Sequence, residues 1–163
     1  MTDPKYRRAS ILCCVMAACI QTTGINSVNI YSTKIYETIQ EENGGGGISP
    51  PVGSVLNMIA QVIACWLSPF VTYFSFRTII NRGFLALAIS MTGVAVLAYL
   101  AYNTVLVFVL MLFLFFFQAT LGTYSWVYLG QVACDEGLSI ATCILWGCTL
   151  ILSIWTNKMF DVM

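Results

Sequence analysis

Residues 107–117 read Val-Phe-Val-Leu-Met-Leu-Phe-Leu-Phe-Phe-Phe, a run of apolar side chains with no polar interruption. The chain has several more predominantly apolar stretches of about 20 residues, the length at which a helix crosses a hydrocarbon layer about 30 Å thick. Of its 163 residues, 59% are hydrophobic and 9% charged, whereas soluble domains carry about 25% charged residues. The sequence therefore predicts an all-α membrane protein with about five transmembrane helices.

The apolar stretches set the predicted boundaries. We expect one transmembrane helical domain over residues 1–163, with spans at about 9–36, 52–73, 83–102, 105–132 and 138–155. A flexible acidic linker over 40–51 should join the first two spans, because it combines two glutamates, four glycines and two prolines. Arg77 and Arg82 fall between the second and third predicted spans, and we expect them to be loop cations.

The cations also predict an orientation. Lys5, Arg7 and Arg8 precede the first span, and Arg77 and Arg82 lie two spans later, so both groups face the same side of the membrane. Cytoplasmic loops are enriched in Lys and Arg. The N-terminus is therefore predicted to lie inside and the C-terminus outside.

The composition excludes several classes of function. The chain has no histidine, so a Ser-His-Asp triad, a His-ligated haem and a His-containing zinc site are excluded. Its seven cysteines form no C-x-x-C pair and lie mostly in or beside apolar runs, which favours small buried residues over disulfides or metal ligands. With a net charge of zero, we expect no nucleic acid partner, and we predict no enzyme activity, cofactor or metal.

The second half of the first span is unusually polar. Residues 20–33 read Ile-Gln-Thr-Thr-Gly-Ile-Asn-Ser-Val-Asn-Ile-Tyr-Ser-Thr. Unsatisfied polar groups are costly in lipid, so this half must face other protein or a wet cavity.

The pattern Q-x-x-G-I-N-x-x-x-x-Y-S-T in this stretch resembles the sugar-porter group of the major facilitator superfamily, which includes the facilitative glucose transporters. The family has a similar motif in the first helix of its C-terminal half. Ser54-Val55-Leu56-Asn57 resembles the start of the next helix, and residues 117–126 resemble a later stretch with an aromatic, a glutamate and G-P-x-P-W. Arg77 and Arg82 lie where the family has an E-R-x-G-R-R cluster. The resemblance implies helices seven to eleven of a twelve-helix fold.

The resemblance implies six substrate-binding positions: Gln21, Asn26, Tyr31, Asn57, Gln118 and Trp126. The amides would hydrogen-bond sugar hydroxyls, since an amide both donates and accepts. Tyr31 would lie near the outer gate, Gln118 would replace a pocket carboxylate, and Trp126 would stack on the sugar ring. Such sites lie near the bilayer midplane.

A structural interpretation stays open for these residues. Gln21, Asn26 and Asn57 would then hydrogen-bond neighbouring helices, and Trp126 would be a packing or interfacial aromatic. The sequence also departs from the family pattern, with Ile20 in place of a glutamine and Thr123 and Ser125 in place of two prolines. The family has charged residues on the cytoplasmic side that hold its two halves together. In this chain only the two arginines of that set are present, and this difference affects gating more than binding.

Two functions follow from these observations. The first is a degenerate transporter half that serves as a structural or accessory subunit of a larger membrane complex, without transport of its own. The second is a half or fragment of a hexose transporter. The expected partners are the lipid bilayer, other membrane subunits, a lipid in place of the missing half, or a sugar. The family implies the plasma membrane, and a complex subunit the mitochondrial inner membrane.

Overall fold

A computed structural model describes residues 4–42, 48–71 and 73–162, which form helices joined by short turns. The α-helices are α1 (Pro4–Thr22), α2 (Ile25–Glu42), α3 (Pro50–Val71), α4 (Phe76–Tyr99), α5 (Asn103–Phe117), α6 (Thr123–Val132) and α7 (Asp135–Val162). A π-helical segment, Gln118–Gly122, joins α5 to α6 without a break. No strand occurs in the described parts of the chain.

Five helical stretches are long and apolar enough to cross a bilayer: Tyr6–Glu41, Pro50–Val71, Phe76–Tyr99, Asn103–Val132 and Asp135–Lys158. The prediction of an all-α membrane protein with about five transmembrane helices is confirmed. The core of the predicted acidic linker, residues 43–47, lies outside the described residues. Its flanks are helical, since α2 continues to Glu42 and α3 begins at Pro50.

The first span is interrupted at Thr23 and Gly24, where the sequence predicts a continuous helix over 9–36. Gly24 has a φ of 78°, a left-handed conformation that glycine adopts without steric cost. Its N–H donates to the carbonyl of Gln21 at 3.1 Å, and the Thr23 hydroxyl donates to the carbonyl of Ile20 at 2.7 Å. These bonds satisfy carbonyls that the end of α1 would otherwise leave exposed.

The placement of Arg77 and Arg82 in a loop is wrong. Helix α4 begins at Phe76, so both arginines lie in its first two turns. Arginine is a good helix former, and its long side chain allows the charge to reach the membrane surface from within a spanning helix. The apolar pattern that begins at residue 83 therefore marks where the hydrophobic part of the span starts, and the helix itself starts seven residues earlier.

The described helices fall into two compact units, Met1–Ile30 with Ser125–Met163, and Tyr31–Tyr124. In the first unit, α1 packs against α7 through small side chains. Cys13 and Ala17 of α1 and Ala141 of α7 are fully or almost fully buried together. Gly137 lies one turn before Ala141, and a Cβ there would lie 2.5 Å from the Ser10 hydroxyl. Small residues four apart let two helix backbones approach closely, which is a common mode of packing in membranes.

In the second unit, α5 is the central helix. Phe113 and Leu114 are fully buried, and Leu110 and Phe117 nearly so. Helix α5 packs against both α3 and α4. The run from residue 107 to 117 has one side buried against α3 and α4, and its other side, which includes Phe108 at 62% exposed, is apolar as expected of a helix that also faces lipid.

Candidate functional site

The polar half of the first span forms a hydrogen-bond network in the first unit. The Gln21 side chain is 2% exposed, and its Oε1 accepts a hydrogen bond from Nδ2 of Asn26 across the break at Gly24. The same Asn26 nitrogen lies 3.2 Å from the Thr149 hydroxyl of α7. The two amides meet across this break, with Asn26 in the first turn of α2 and five residues after Gln21.

Helices α2 and α7 are joined by a second polar contact one residue further on. The hydroxyls of Ser27 and Thr156 lie 3.0 Å apart. Thr156 follows Thr149 by seven residues, so both hydroxyls lie on the same face of α7. Each threonine also donates to the carbonyl four residues before it, at 2.9 Å and 2.8 Å. Each hydroxyl thus serves as acceptor for a neighbour while its own proton is already used.

A second buried amide lies in the second unit. Asn57 is 2% exposed, and its Oδ1 accepts a hydrogen bond of 2.8 Å from the Tyr36 hydroxyl. Tyr36 lies on α2 and is 1% exposed. Gly53, one turn before Asn57, makes room for the tyrosine ring, since a Cβ at this position would lie 2.8 Å from two ring carbons. The glycine and the amide together hold the Tyr36 side chain between α2 and α3.

The Nδ2 atom of Asn57 is buried and has no hydrogen-bond partner among the described residues. Buried polar atoms are nearly always paired, so an unpaired one needs an explanation. An unmade hydrogen bond of this kind costs about 1–3 kcal/mol. The amide therefore has one donor held in place by Tyr36 and available for a further acceptor.

Tyr31, near the end of the polar motif, belongs to the second unit and is half-buried. The Lys34 ammonium lies 5.8 Å from the centroid of its ring, within the range of a cation–π contact. Nearby, the Thr33 hydroxyl lies 3.1 Å from the hydroxyl of Ser54 on α3. These contacts extend the polar junction between α2 and α3 from Tyr36 back toward Tyr31.

Gln118 begins the π-helical segment. Its carbonyl accepts a 3.0 Å hydrogen bond from the Thr123 hydroxyl five residues later, and a Cβ at Gly122 would lie 3.0 Å from its Oε1. The side chain thus folds back along its own helix. Single π-helical turns occur often at functional sites, and here the turn ends at Gly122, the first residue of the stretch that resembles the family's G-P-x-P-W.

Trp126 belongs to the first unit and is 47% exposed. Its neighbour Ser125 is 1% exposed, and the Ser125 hydroxyl has no hydrogen-bond partner within the described chain. Arg77 and Arg82 are exposed. The tryptophan therefore has an uncovered aromatic surface next to an unpaired buried hydroxyl.

The six positions predicted from the family resemblance divide equally between the two units. Gln21, Asn26 and Trp126 belong to the first, and Tyr31, Asn57 and Gln118 belong to the second. Direct contact is found between Gln21 and Asn26. The interhelical hydrogen bonds of Asn26 and Asn57 agree with the structural interpretation, whereas the free Nδ2 of Asn57 agrees with a binding role.

Sequence reasoning missed two residues of these networks, Tyr36 and Thr149. Tyr36 pairs with Asn57 and Thr149 with Asn26. A signal for Tyr36 was available, because a buried tyrosine needs a partner for its hydroxyl and a small residue, Gly53, precedes the asparagine by one turn. Thr149 had a weaker signal, as one of several hydroxyl residues in an apolar span.

The described residues contain no group of three or more Cys, Asp or Glu side chains arranged to hold a metal. Each of the seven cysteines has a free thiol. The described amides can donate and accept hydrogen bonds within each unit, and Trp126 offers an exposed aromatic face in the first.

Comparison with known protein families agrees with this chemistry. The model of the family described as "Sugar (and other) transporter" matches residues 1–163. No curated protein and no solved structure matches the chain. The chain has five helical stretches long and apolar enough to cross a membrane, and it belongs to the sugar transporter family of the major facilitator superfamily.

Proposed function

We propose that this chain forms one side of the binding site of a facilitative hexose transporter. The observation that carries the proposal is the unpaired, buried Nδ2 of Asn57. A sugar hydroxyl is a suitable acceptor for this donor, since hydroxyl oxygens carry two lone pairs. Tyr36 fixes the amide from its other side, so the donor loses little freedom when a ligand binds.

Charge supports a neutral substrate. No Asp or Glu occurs between Glu42 and Asp135, a stretch that includes three of the five spans. A cationic substrate would find no carboxylate there, and a proton-coupled cycle would find no acid to titrate. Gln118 offers an amide where the family has a carboxylate, which suits transport down a gradient.

The exposed face of Trp126 supports a ring-shaped substrate. Aromatic faces pack against the apolar C–H face of a sugar, and the tryptophan loses little conformational freedom when it does so. Gln21 and Asn26 belong to the same unit as Trp126, and their amides are further candidate partners for sugar hydroxyls. Here the existing bond between the two amides would rearrange to admit the hydroxyls of the substrate.

The test compares two variants that break the same interhelical hydrogen bond. Asn57→Ala removes the bond and the free donor, and we expect about a two- to ten-fold weaker affinity for hexose. Tyr36→Phe removes the same bond but keeps the Nδ2 donor, and it should keep most of the affinity. Uptake of radiolabelled glucose into cells without endogenous hexose uptake gives the measurement, with the exposed Asn157→Ala as a control.

Equal loss in the two variants would assign the effect to packing between α2 and α3. Unchanged uptake in Asn57→Ala, with normal amounts of protein in the membrane, would contradict the proposal. The same experiment with a charged sugar, such as a sugar phosphate, should show no uptake.

A second candidate function is a structural or accessory subunit of a membrane complex without transport of its own. It is favoured by the mutual hydrogen bond of Gln21 and Asn26, which leaves these amides already engaged within the chain. Purification from the native membrane in mild detergent, followed by mass measurement, tests it. A fixed-ratio assembly with other proteins and no sugar uptake would support this function over transport.

The family is typically found in the plasma membrane, and we place the protein there with its N-terminus inside. That the five spans belong to a single transmembrane domain stays a prediction. Surface biotinylation of intact cells checks the location.

A further inference from the structure

A cavity of about 230 Å³ lies within the second unit, where α3 ends, α4 begins and the π-helical segment passes. Its wall is almost wholly apolar. Val71 and Phe74 line it from the end of α3, and Phe116 lines it from α5. None of the six positions predicted to bind sugar contributes to it.

One face of α4 supplies most of the remaining wall. Ile79, Gly83 and Ala86 recur at intervals of four and three residues, so they lie on one side of the helix. Gly83 brings α4 close to the π-helical segment, since a Cβ there would lie 2.8 Å from the Thr120 hydroxyl. The Thr120 hydroxyl donates to the Phe116 carbonyl at 2.6 Å, so its proton is already used within the helix.

Arg82 is the charged residue of this apolar wall. Within its own unit, the acidic residues are Glu37, Glu41 and Glu42. Helix α2 ends at Glu42 and α3 begins at Pro50, so these acids belong to the opposite end of α3 from the cavity. The 22 residues of α3 separate the two ends by about 33 Å.

The depth of Arg82 in the membrane follows from the length of α4. Its 24 residues span about 36 Å, which exceeds the hydrocarbon thickness of about 30 Å. Arg82 lies six residues after Phe76, about 9 Å from the start of the helix. Helical side chains point toward the N-terminus, and a long arginine extends to the interface. Its guanidinium therefore reaches the level of lipid phosphates, with Ala86 one turn deeper.

We propose that this cavity binds an acidic phospholipid of the surrounding bilayer. The anionic head group pairs with Arg82, and part of one acyl chain fills the space between α4 and Phe116. The cavity is smaller than the 300–1,000 Å³ typical of sites that enclose a whole ligand, which suits the end of a chain and not a complete molecule. Basic residues beside interhelical pockets are a common form of lipid recognition.

The chain offers a matched pair of variants for the charge. Arg82 lines the cavity, whereas Arg77 is equally exposed on the same helix and does not line it. Arg82→Gln should weaken binding of phosphatidylserine about five-fold, the effect of one cation near the membrane surface. Arg77→Gln should change it by less than about two-fold. Native mass spectrometry of the purified protein, titrated with the lipid in detergent, measures both.

A second matched pair tests the apolar part. Ala86→Phe fills the cavity, and Ala88→Phe adds the same bulk at an exposed position on α4 that does not line it. Ala86→Phe should reduce lipid binding, and Ala88→Phe should leave it unchanged. Equal losses for Arg82→Gln and Arg77→Gln, or binding unaffected by Ala86→Phe, would overturn the proposal.

Two further titrations identify which class of lipid supplies the anionic group that pairs with Arg82. Phosphatidylcholine with the same acyl chains should bind less tightly than phosphatidylserine, and the difference should disappear in Arg82→Gln. Oleate carries a chain and a carboxylate without the phosphate. Tighter binding of oleate, or equal binding of phosphatidylcholine, would overturn an acidic phospholipid as the occupant. These readouts involve no sugar, so they succeed or fail independently of the proposed transport.

Discussion

Single residues decide where the polar groups of this membrane protein meet. Gly24 has a left-handed backbone with a φ of 78° and separates α1 from α2, which places Asn26 opposite Gln21. Discontinuous helices of this kind carry substrate sites in many transporters. The sequence of residues 20–33 shows that the first span carries many hydrogen-bonding side chains. The break at Gly24 determines that Gln21 and Asn26 pair with each other.

Gly24→Ala should destabilise the protein by about 1–2 kcal/mol, because a Cβ clashes with the backbone in the left-handed region. Thermal unfolding of the purified protein in detergent measures the change. Gly147→Ala is the control, since a Cβ at Gly147 meets no atom within 4 Å, and alanine is favoured over glycine inside a helix. Equal melting temperatures for the two variants would contradict a special role for Gly24.

At this scale the sequence predicts which amides make hydrogen bonds, and their binding of sugar stays a prediction. Gln21, Asn26 and Asn57 were identified from a motif, and all three are engaged in buried or half-buried hydrogen bonds. Their partners Tyr36 and Thr149 were not, because partner choice depends on which helix faces meet. A sequence pattern gives the periodicity of one helix and not its rotation against a neighbour.

At the scale of elements, the junction of α2 and α3 depends on one close contact. The Tyr36 ring packs on Gly53, and its hydroxyl reaches Asn57 one turn further along α3. The two contacts support each other, since the glycine admits the ring and the amide fixes its end.

Gly53→Ala should cost about 1–3 kcal/mol, because the added methyl meets ring carbons at 2.8 Å and overpacking in a close-packed interface is destabilising. Chemical or thermal unfolding gives the value, with Gly130→Ala, where a Cβ meets nothing within 4 Å, as the control. In a Tyr36→Ala background the same methyl should be nearly harmless. A full cost in that background would show that the strain comes from elsewhere.

Helix boundaries were the part of the elements that sequence predicted least well. The first span contains a break, and α4 begins before two arginines. Hydropathy reports which residues lie in the hydrocarbon layer, while backbone hydrogen bonds decide where a helix begins and ends. The two differ most where a helix extends into the head-group region, as α4 does.

At the scale of the whole molecule, the cations predict the topology. Lys5, Arg7 and Arg8 lie at the start of the first span, and Arg77 and Arg82 lie at the start of the third. The positive-inside rule then places Ser75 in the cytoplasm and Ser49 outside. Both serines are exposed and lie at opposite ends of α3.

In a cysteine-free background, Ser49→Cys should react with a membrane-impermeant maleimide on intact cells. Ser75→Cys should react only after permeabilisation, because the bilayer then no longer separates it from the reagent. The reverse pattern would invert the topology and move the proposed phospholipid site to the outer leaflet.

The sequence alone determined that this protein is a helical membrane protein of the sugar transporter family. The length of the apolar stretches, the low fraction of charged residues and the polar motif over residues 21–33 can all be read directly from the chain. The tertiary structure alone decided which polar atoms are satisfied. It paired Asn26 with Gln21 and Thr149, left Nδ2 of Asn57 without a partner, and opened a cavity beside Arg82. These outcomes depend on distances of a few ångströms between helices far apart in sequence, and such distances are set by packing.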